Sequence, residues 1–150
     1  MEIAPLRAFV RKHRRIAIDT CAFIYQWQAH PRYSLLTDWM FSSLEQGEFV
    51  AVTSTITMTE LLVHPYRDYD LQQVNELAGL LSIYPNLEWI PGTLAIAVLA
   101  AEIRANHRLA TPDALQAATA LHANATGLLT NDPIFKRVAG LDVLLLDDCV

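Results

Sequence analysis

Apolar residues along the chain follow two periods, one short and continuous and one helical. Arg15-Ile-Ala-Ile-Asp19, Phe49-Val-Ala-Val52, Leu87-Glu-Trp-Ile90, Leu128-Leu-Thr130 and Val143-Leu-Leu-Leu146 are brief, almost unbroken apolar runs. Such runs suit strands buried on both faces. The intervening segments read as helices. Residues 1–14 place Ile3, Leu6, Phe9 and Val10 on one face and predict a lead-in helix. Residues 20–29 and 31–46 predict two helices separated at Pro31, the second ended by Gly47. Residues 54–64 and 68–82 predict another pair, broken around Pro65. Leu94 to Asn106 is alanine-rich and helical. Thr111-Pro112-Asp113 opens a helix to about Asn124, with Thr111 as N-cap and Pro112 as the first helical residue. Residues 133–138 predict a short final helix. Strands alternating with helices give an α/β fold with a parallel sheet covered on both faces.

Length predicts one domain spanning residues 1–150, since 150 residues is near the commonest domain size. With 53% hydrophobic and 18% charged residues, the chain can bury enough surface to exclude a disordered protein. Mean hydropathy of +0.23 raises the question of a membrane. However, the longest purely apolar run, Leu94 to Ala101, falls far short of the roughly 18 residues a spanning helix needs. The apolar surplus therefore predicts a large core and a buried partner surface, with a homodimer expected and residues 54–82 as one contact face.

Net charge is −5. Four of the 11 Lys and Arg residues are Arg11, Lys12, Arg14 and Arg15, leaving the remainder strongly acidic. This excludes a purely electrostatic nucleic-acid binder. Such a chain suits clustered carboxylates, a metal or a basic partner. Cys21 and Cys149 form neither a zinc pattern nor a disulfide framework, and the amino terminus lacks a signal-peptide core. A cytoplasmic protein with reduced thiols is expected.

Open parallel sheets bind ligands beyond the carboxyl ends of their strands. Asp19 ends the first strand and Asp132 follows the fourth, whereas Asp113 opens a helix. Helix capping and dipole complementarity explain each of these three aspartates about as well as chemistry does. Glu60 differs, because it is mid-helix, where no cap is needed, with apolar Ile56 and Val63 as helical neighbours. Carboxylates gathered in one place resist ionisation unless a hard cation offsets their repulsion. Magnesium and manganese take oxygen ligands, keep several waters and suit phosphoryl chemistry.

Asp19, Glu60, Asp113 and Asp132 lie within Ile-Asp-Thr, Thr-Glu-Leu, Thr-Pro-Asp-Ala-Leu-Gln-Ala-Ala-Thr-Ala and Leu-Leu-Thr-Asn-Asp-Pro-Ile-Phe. This ordered set resembles the PIN-domain ribonucleases, and among them the VapC-type toxins of bacterial toxin–antitoxin pairs, over about residues 15–146. The resemblance implies a three-layer α/β/α sandwich with a mainly parallel central sheet. It further implies a magnesium or manganese ion and endonucleolytic RNA cleavage leaving a 5′-phosphate and a 3′-hydroxyl. A small antitoxin protein is the implied partner. By the same resemblance Asp19 and Asp113 are metal ligands, direct or through water. Asp132 completes the site or holds a second ion, and Glu60 binds or orients water. Thr20, Thr130 and Asn131 position the ligands from behind.

Two other readings use the same residues. One is a catalytically silent RNA-binding scaffold of this fold, against which four intact acids argue. The other is an aspartyl phosphatase, but Cys21 stands where the second acid would be, two residues after Asp19. The five histidines are scattered, without an i, i+4 pair. Cys21 is expected to pack beneath the first strand, and Tyr25, Trp27, Tyr33 and Trp39 in the core. The Arg11–Arg15 run is expected as a solvated face at the opposite end from the site.

Overall fold

The computed structural model describes residues 3–150, so the first two residues of the predicted lead-in helix lie outside it. Strands β1 (Arg15–Ile18), β2 (Val50–Ser54), β3 (Leu87–Ile90), β4 (Gly127–Thr130) and β5 (Asp142–Leu145) form one sheet in the order β3-β2-β1-β4-β5. Every pairing is parallel. Helix α1 (Ala4–His13) precedes β1, and α2 (Thr20–Trp27) and α3 (Ser34–Glu45) lead to β2. Helices α4 (Thr55–Arg67) and α5 (Leu71–Ser82) lead to β3, and α6 (Leu94–His107) and α7 (Thr111–His122) to β4. Short 3-10 turns occupy Pro133–Arg137 and Leu146–Cys149.

The pleat sends alternate strand residues into two cores. Ile16, Ile18, Ala51 and Leu129 pack with α1, α2, α3 and α5, including Leu6, Phe23, Met40 and Leu81. Ala17, Val52 and Leu128 pack with α6 and α7, including Ile96, Ile103 and Ala117. Both sheet faces are thus covered, which is why the strands read as continuous apolar runs rather than alternating ones. At Gly127 a Cβ would stand 2.7 Å from Phe9 Cζ and 3.0 Å from His13 Cδ2, so α1 sits against β4 only because that position lacks a side chain. Among the described residues, no helix is long and apolar enough to cross a membrane.

Four expected boundaries move. Helix α4 continues through buried Pro65 to Arg67 instead of breaking there. Proline forfeits only its bond to the Leu61 carbonyl, and the chain closes the end with Asp68 N–H to His64 O at 3.0 Å and Asp70 N–H to Pro65 O at 2.9 Å. Helix α3 begins at Ser34, because residues 30–33 are spent on a turn in which Ser34 N–H reaches His30 O at 2.8 Å. The N-cap of α7 is Ala110, not Thr111. The Thr111 hydroxyl instead accepts from Arg104 Nη1 at 2.8 Å. The last strand stops at Leu145, and buried Leu146 opens a 3-10 turn.

Candidate active site

Strand β1 is the centre of the sheet, and the connections leave its two sides in different directions. β2 follows on one side after α2 and α3, whereas β4 arrives on the other only after α7. A crevice opens at the carboxyl end of β1 and β4, where this reversal parts the loops. An open cleft of ≈ 470 Å³ lies there, lined by Asp19, Glu60, Asp113 and Asp132 together with Thr20, Asn131, Cys21, Ile24, Tyr25 and Pro133. All four acids singled out in the sequence therefore face one cleft.

Asp19 follows Ile18 and caps α2, accepting from Thr20 N–H at 2.8 Å. Its other oxygen accepts from Thr130 Oγ1 at 2.8 Å. Thr130 ends β4, is fully buried, and accepts from Asp132 N–H at 3.1 Å. That single hydroxyl ties the first acid to the loop carrying the last. Asp132 caps the following 3-10 turn through Ile134 N–H at 3.0 Å. Capping and cleft exposure thus coexist at Asp19 and Asp132. Asp113 stands in the first turn of α7, where it complements the helix dipole.

Glu60 reaches the cleft for a reason other than the one its neighbours suggested. The buried face of α4 is Thr57, Leu61 and Pro65, whereas Glu60 is exposed and Val63 is 37% exposed. Glu60 is held instead by Thr20 Oγ1, which donates to Oε1 at 2.9 Å. Beneath lies a buried polar chain. Gln116 Nε2 donates to Thr57 Oγ1 at 2.7 Å, Thr57 lies 2.8 Å from Thr53 Oγ1, and Thr53 donates to Ile18 O at 2.9 Å. This chain locks α7, α4, β2 and β1 together directly behind the acids. Thr53, Thr57 and Gln116 were not singled out in the sequence. Gln116 follows Asp113 by three residues on one helical face, and that spacing was the available signal.

Asn131 has both amide ends engaged: Nδ2 donates to Tyr25 Oη at 3.2 Å and Oδ1 accepts from Asp147 N–H at 2.8 Å. Cys21 lines the cleft rather than packing beneath β1, because α2 turns its first residues toward the acids. Burial pushes its thiol up to about 12, and the Asp19 charge adds to this.

Burial raises Asp19 to about 6, against the hydrogen bonds from Thr130 and Thr20, with the charges of Asp113 and Glu60 pushing the same way as burial. Asp113 is also raised, by burial and by the charges of Asp132 and Glu60. The cleft therefore gathers negative charge, and among the described residues no Lys, Arg or His lines it. Among the described residues, no three carboxylate, imidazole or thiol groups stand close enough together to hold a metal ion directly. A hard divalent ion that keeps several of its own waters fits such an open oxygen set, and the unbalanced charge is what it would neutralise.

Comparison with known proteins agrees with this architecture. A family model described as PIN domain matches residues 16–141. No curated protein sequence matches the chain. Among solved structures, VapBC2 from Rickettsia felis bound to a DNA fragment from its promoter is 22% identical. Its TM-score is 0.66, and the match covers 87% of this chain and 98% of that one. DNA-bound VapBC from Salmonella typhimurium is 19% identical with a TM-score of 0.67, covering 88% and 98%. A toxin–antitoxin complex from Klebsiella pneumoniae is 18% identical with a TM-score of 0.63, covering 85% and 95%. These likenesses show a shared fold.

Proposed function

Because the chain belongs to the PIN-domain family, whose members are generally nucleases, we propose that it is a magnesium- or manganese-dependent endoribonuclease and the toxin of a toxin–antitoxin pair. The observation that carries this reading is the convergence of Asp19, Glu60, Asp113 and Asp132 on one cleft, with Asp19 raised to about 6. A single capping aspartate would need no such company.

Asp19, Asp113 and Asp132 would hold the ion, directly or through its waters, and when bound it would activate water and neutralise a phosphate oxygen. Thr130 and the Thr20 N–H each donate to one Asp19 oxygen and so fix the carboxylate at the cleft. Glu60, anchored by Thr20, accepts a proton from or orients the attacking water. RNA is cut between its 3′-oxygen and phosphorus, so the 5′ side of the downstream fragment keeps the phosphate. Asn131 holds the Asp132 loop in place through its two bonded amide ends.

The partner in this reading is a small antitoxin that places a basic side chain among the acids instead of the ion. The neighbouring structures that are toxin–antitoxin complexes support it. Helices α4 and α5 expose Val63 at 37%, Tyr66 at 56%, Leu71 at 61% and Leu80 at 47%, an apolar strip suited to a homodimer or to that partner. Labelled RNA incubated with purified protein, with and without magnesium, tests the reading. Metal-dependent internal cuts with 5′-phosphate ends are expected, and intact RNA under both conditions would refute it.

A further inference from the structure

We infer that Tyr25 is a preset stacking surface for the nucleobase beside the scissile phosphate. The substrate class rests on the ribonuclease reading above. The placement of Tyr25 does not.

The cleft is lined by unlike groups: the four acids, and the less polar Ile24, Tyr25 and Pro133. An acidic cleft in a chain of net charge −5 gains little from phosphate contacts, which are what usually supply nucleic-acid affinity. Substrate must be held largely by its uncharged parts. An aromatic face does this for any base, because every base has a π surface.

Tyr25 is built to serve as that face. Tyr33 stacks on it with centroids 4.3 Å apart and planes 22° apart, and His30 closes in at 5.2 Å. Its hydroxyl is held by Asn131 Nδ2. The supports are themselves fixed: Tyr33 is 8% exposed and donates to the Asp147 carboxylate, and the Asp147 N–H donates to Asn131 Oδ1. Ring, edge and backing are thus immobilised before any ligand arrives, so little side-chain freedom is lost on binding. Tyr25 packs against the core, as its sequence position suggested, and also lines the cleft, whereas Tyr33 is buried.

A labelled 12-nucleotide unpaired RNA, and the same RNA with an abasic residue beside the cleaved bond, serve as probes. Binding is read by fluorescence anisotropy with calcium replacing magnesium, and cleavage is read in magnesium. Wild type should bind the abasic RNA on the order of tenfold more weakly than the intact one. Tyr25→Leu should bind both RNAs equally and at the weaker level, whereas Tyr25→Phe and Tyr25→Trp should stay within about threefold of wild type on intact RNA. Equal affinity of wild type for the two RNAs, or an identical loss on both RNAs in Tyr25→Leu, overturns the inference. The wild-type arm decides even if Tyr25→Leu does not fold. If the affinities behave as expected but no RNA is cut in magnesium, the stacking surface stands and the nuclease reading fails. If RNA is cut but affinity ignores the base, the nuclease reading stands and the stacking surface fails.

Discussion

At the amino end of the sheet, acids are matched. Asp142, at the start of β5, accepts from His13 Nε2 at 2.7 Å and from Lys12 Nζ at 3.1 Å. Glu88 on β3 meets the Arg15 guanidinium through two bonds of 3.1 and 2.8 Å. The His13 bond, then Lys12, holds Asp142 below the ordinary carboxylate range, and Arg15 does the same for Glu88. At the carboxyl end, the same residue types meet hydroxyls and one another, and Asp19 and Asp113 are raised. A structural acid is given a partner by the fold. An acid left with unbalanced charge, at a cost to folding, marks where something from outside is to bind.

The sharpest break of that contrast is chemical. Asp19→Asn and Asp113→Asn should each abolish RNA cleavage while leaving circular dichroism unchanged, whereas Asp142→Asn should cleave normally. Cleavage by a folded Asp19→Asn protein would remove the acid cluster from the mechanism.

Metal should erase the imbalance. Adding magnesium at about a hundred times its dissociation constant should stabilise wild type by about 2.7 kcal/mol, because the ion binds only the folded state. Asp19→Asn should gain much less, and melting curves in chelator and in magnesium compare the two.

Acidity should act on the two ends with opposite sign. Asp19 binds its proton more tightly folded, at about 6, than unfolded, near 3.9. Stability without metal should therefore fall as pH rises from about 4 to 6, by on the order of 2 kcal/mol, and stay low above that. In Asp19→Asn this slope should shrink to the part that Asp113 contributes, leaving the variant as stable as wild type or more so at pH 7 in chelator. Denaturant titrations across that range decide it.

The smallest effect belongs to the matched end. Asp142 is lowered, so its contribution is present above the unfolded value and is lost as pH falls through the folded one. Its side chain is 45% exposed, so solvent screens the pair, and Asp142→Asn should cost no more than about 1 kcal/mol at pH 7. The loss should disappear in strong acid. A large loss persisting there would mean that the latch between α1 and β5 is not electrostatic.

Much of this was legible in the chain. Five apolar runs gave the five strands to within a residue or two, because strands buried on both faces leave little ambiguity. Asp19 and Asp132 were visible as acids at strand ends. Glu60 was found through apolar neighbours, yet one of them, Val63, is exposed, and the glutamate is placed by Thr20 from another helix. Tertiary hydrogen bonds of this kind leave no local pattern. The same holds for His13, read as one of five scattered histidines, whose partners Thr126 and Asp142 are 113 and 129 residues away. Pro65 misled because a proline in the last turn of a helix forfeits a single bond and need not end it.

The bond from Thr130 to Asp19 spans 111 residues, and it also sets a timetable. Polypeptides emerge from the ribosome amino end first and fold as their parts become available. A nascent chain that has released α7 already carries Asp19, Glu60 and Asp113, but the second edge of β1 is still bare and the Asp19 carboxylate lacks its Thr130 bond. The last acid and the hydroxyl that steadies the first arrive together with β4. The four acids can therefore be brought together in their final arrangement only after the chain has emerged as far as Asp132.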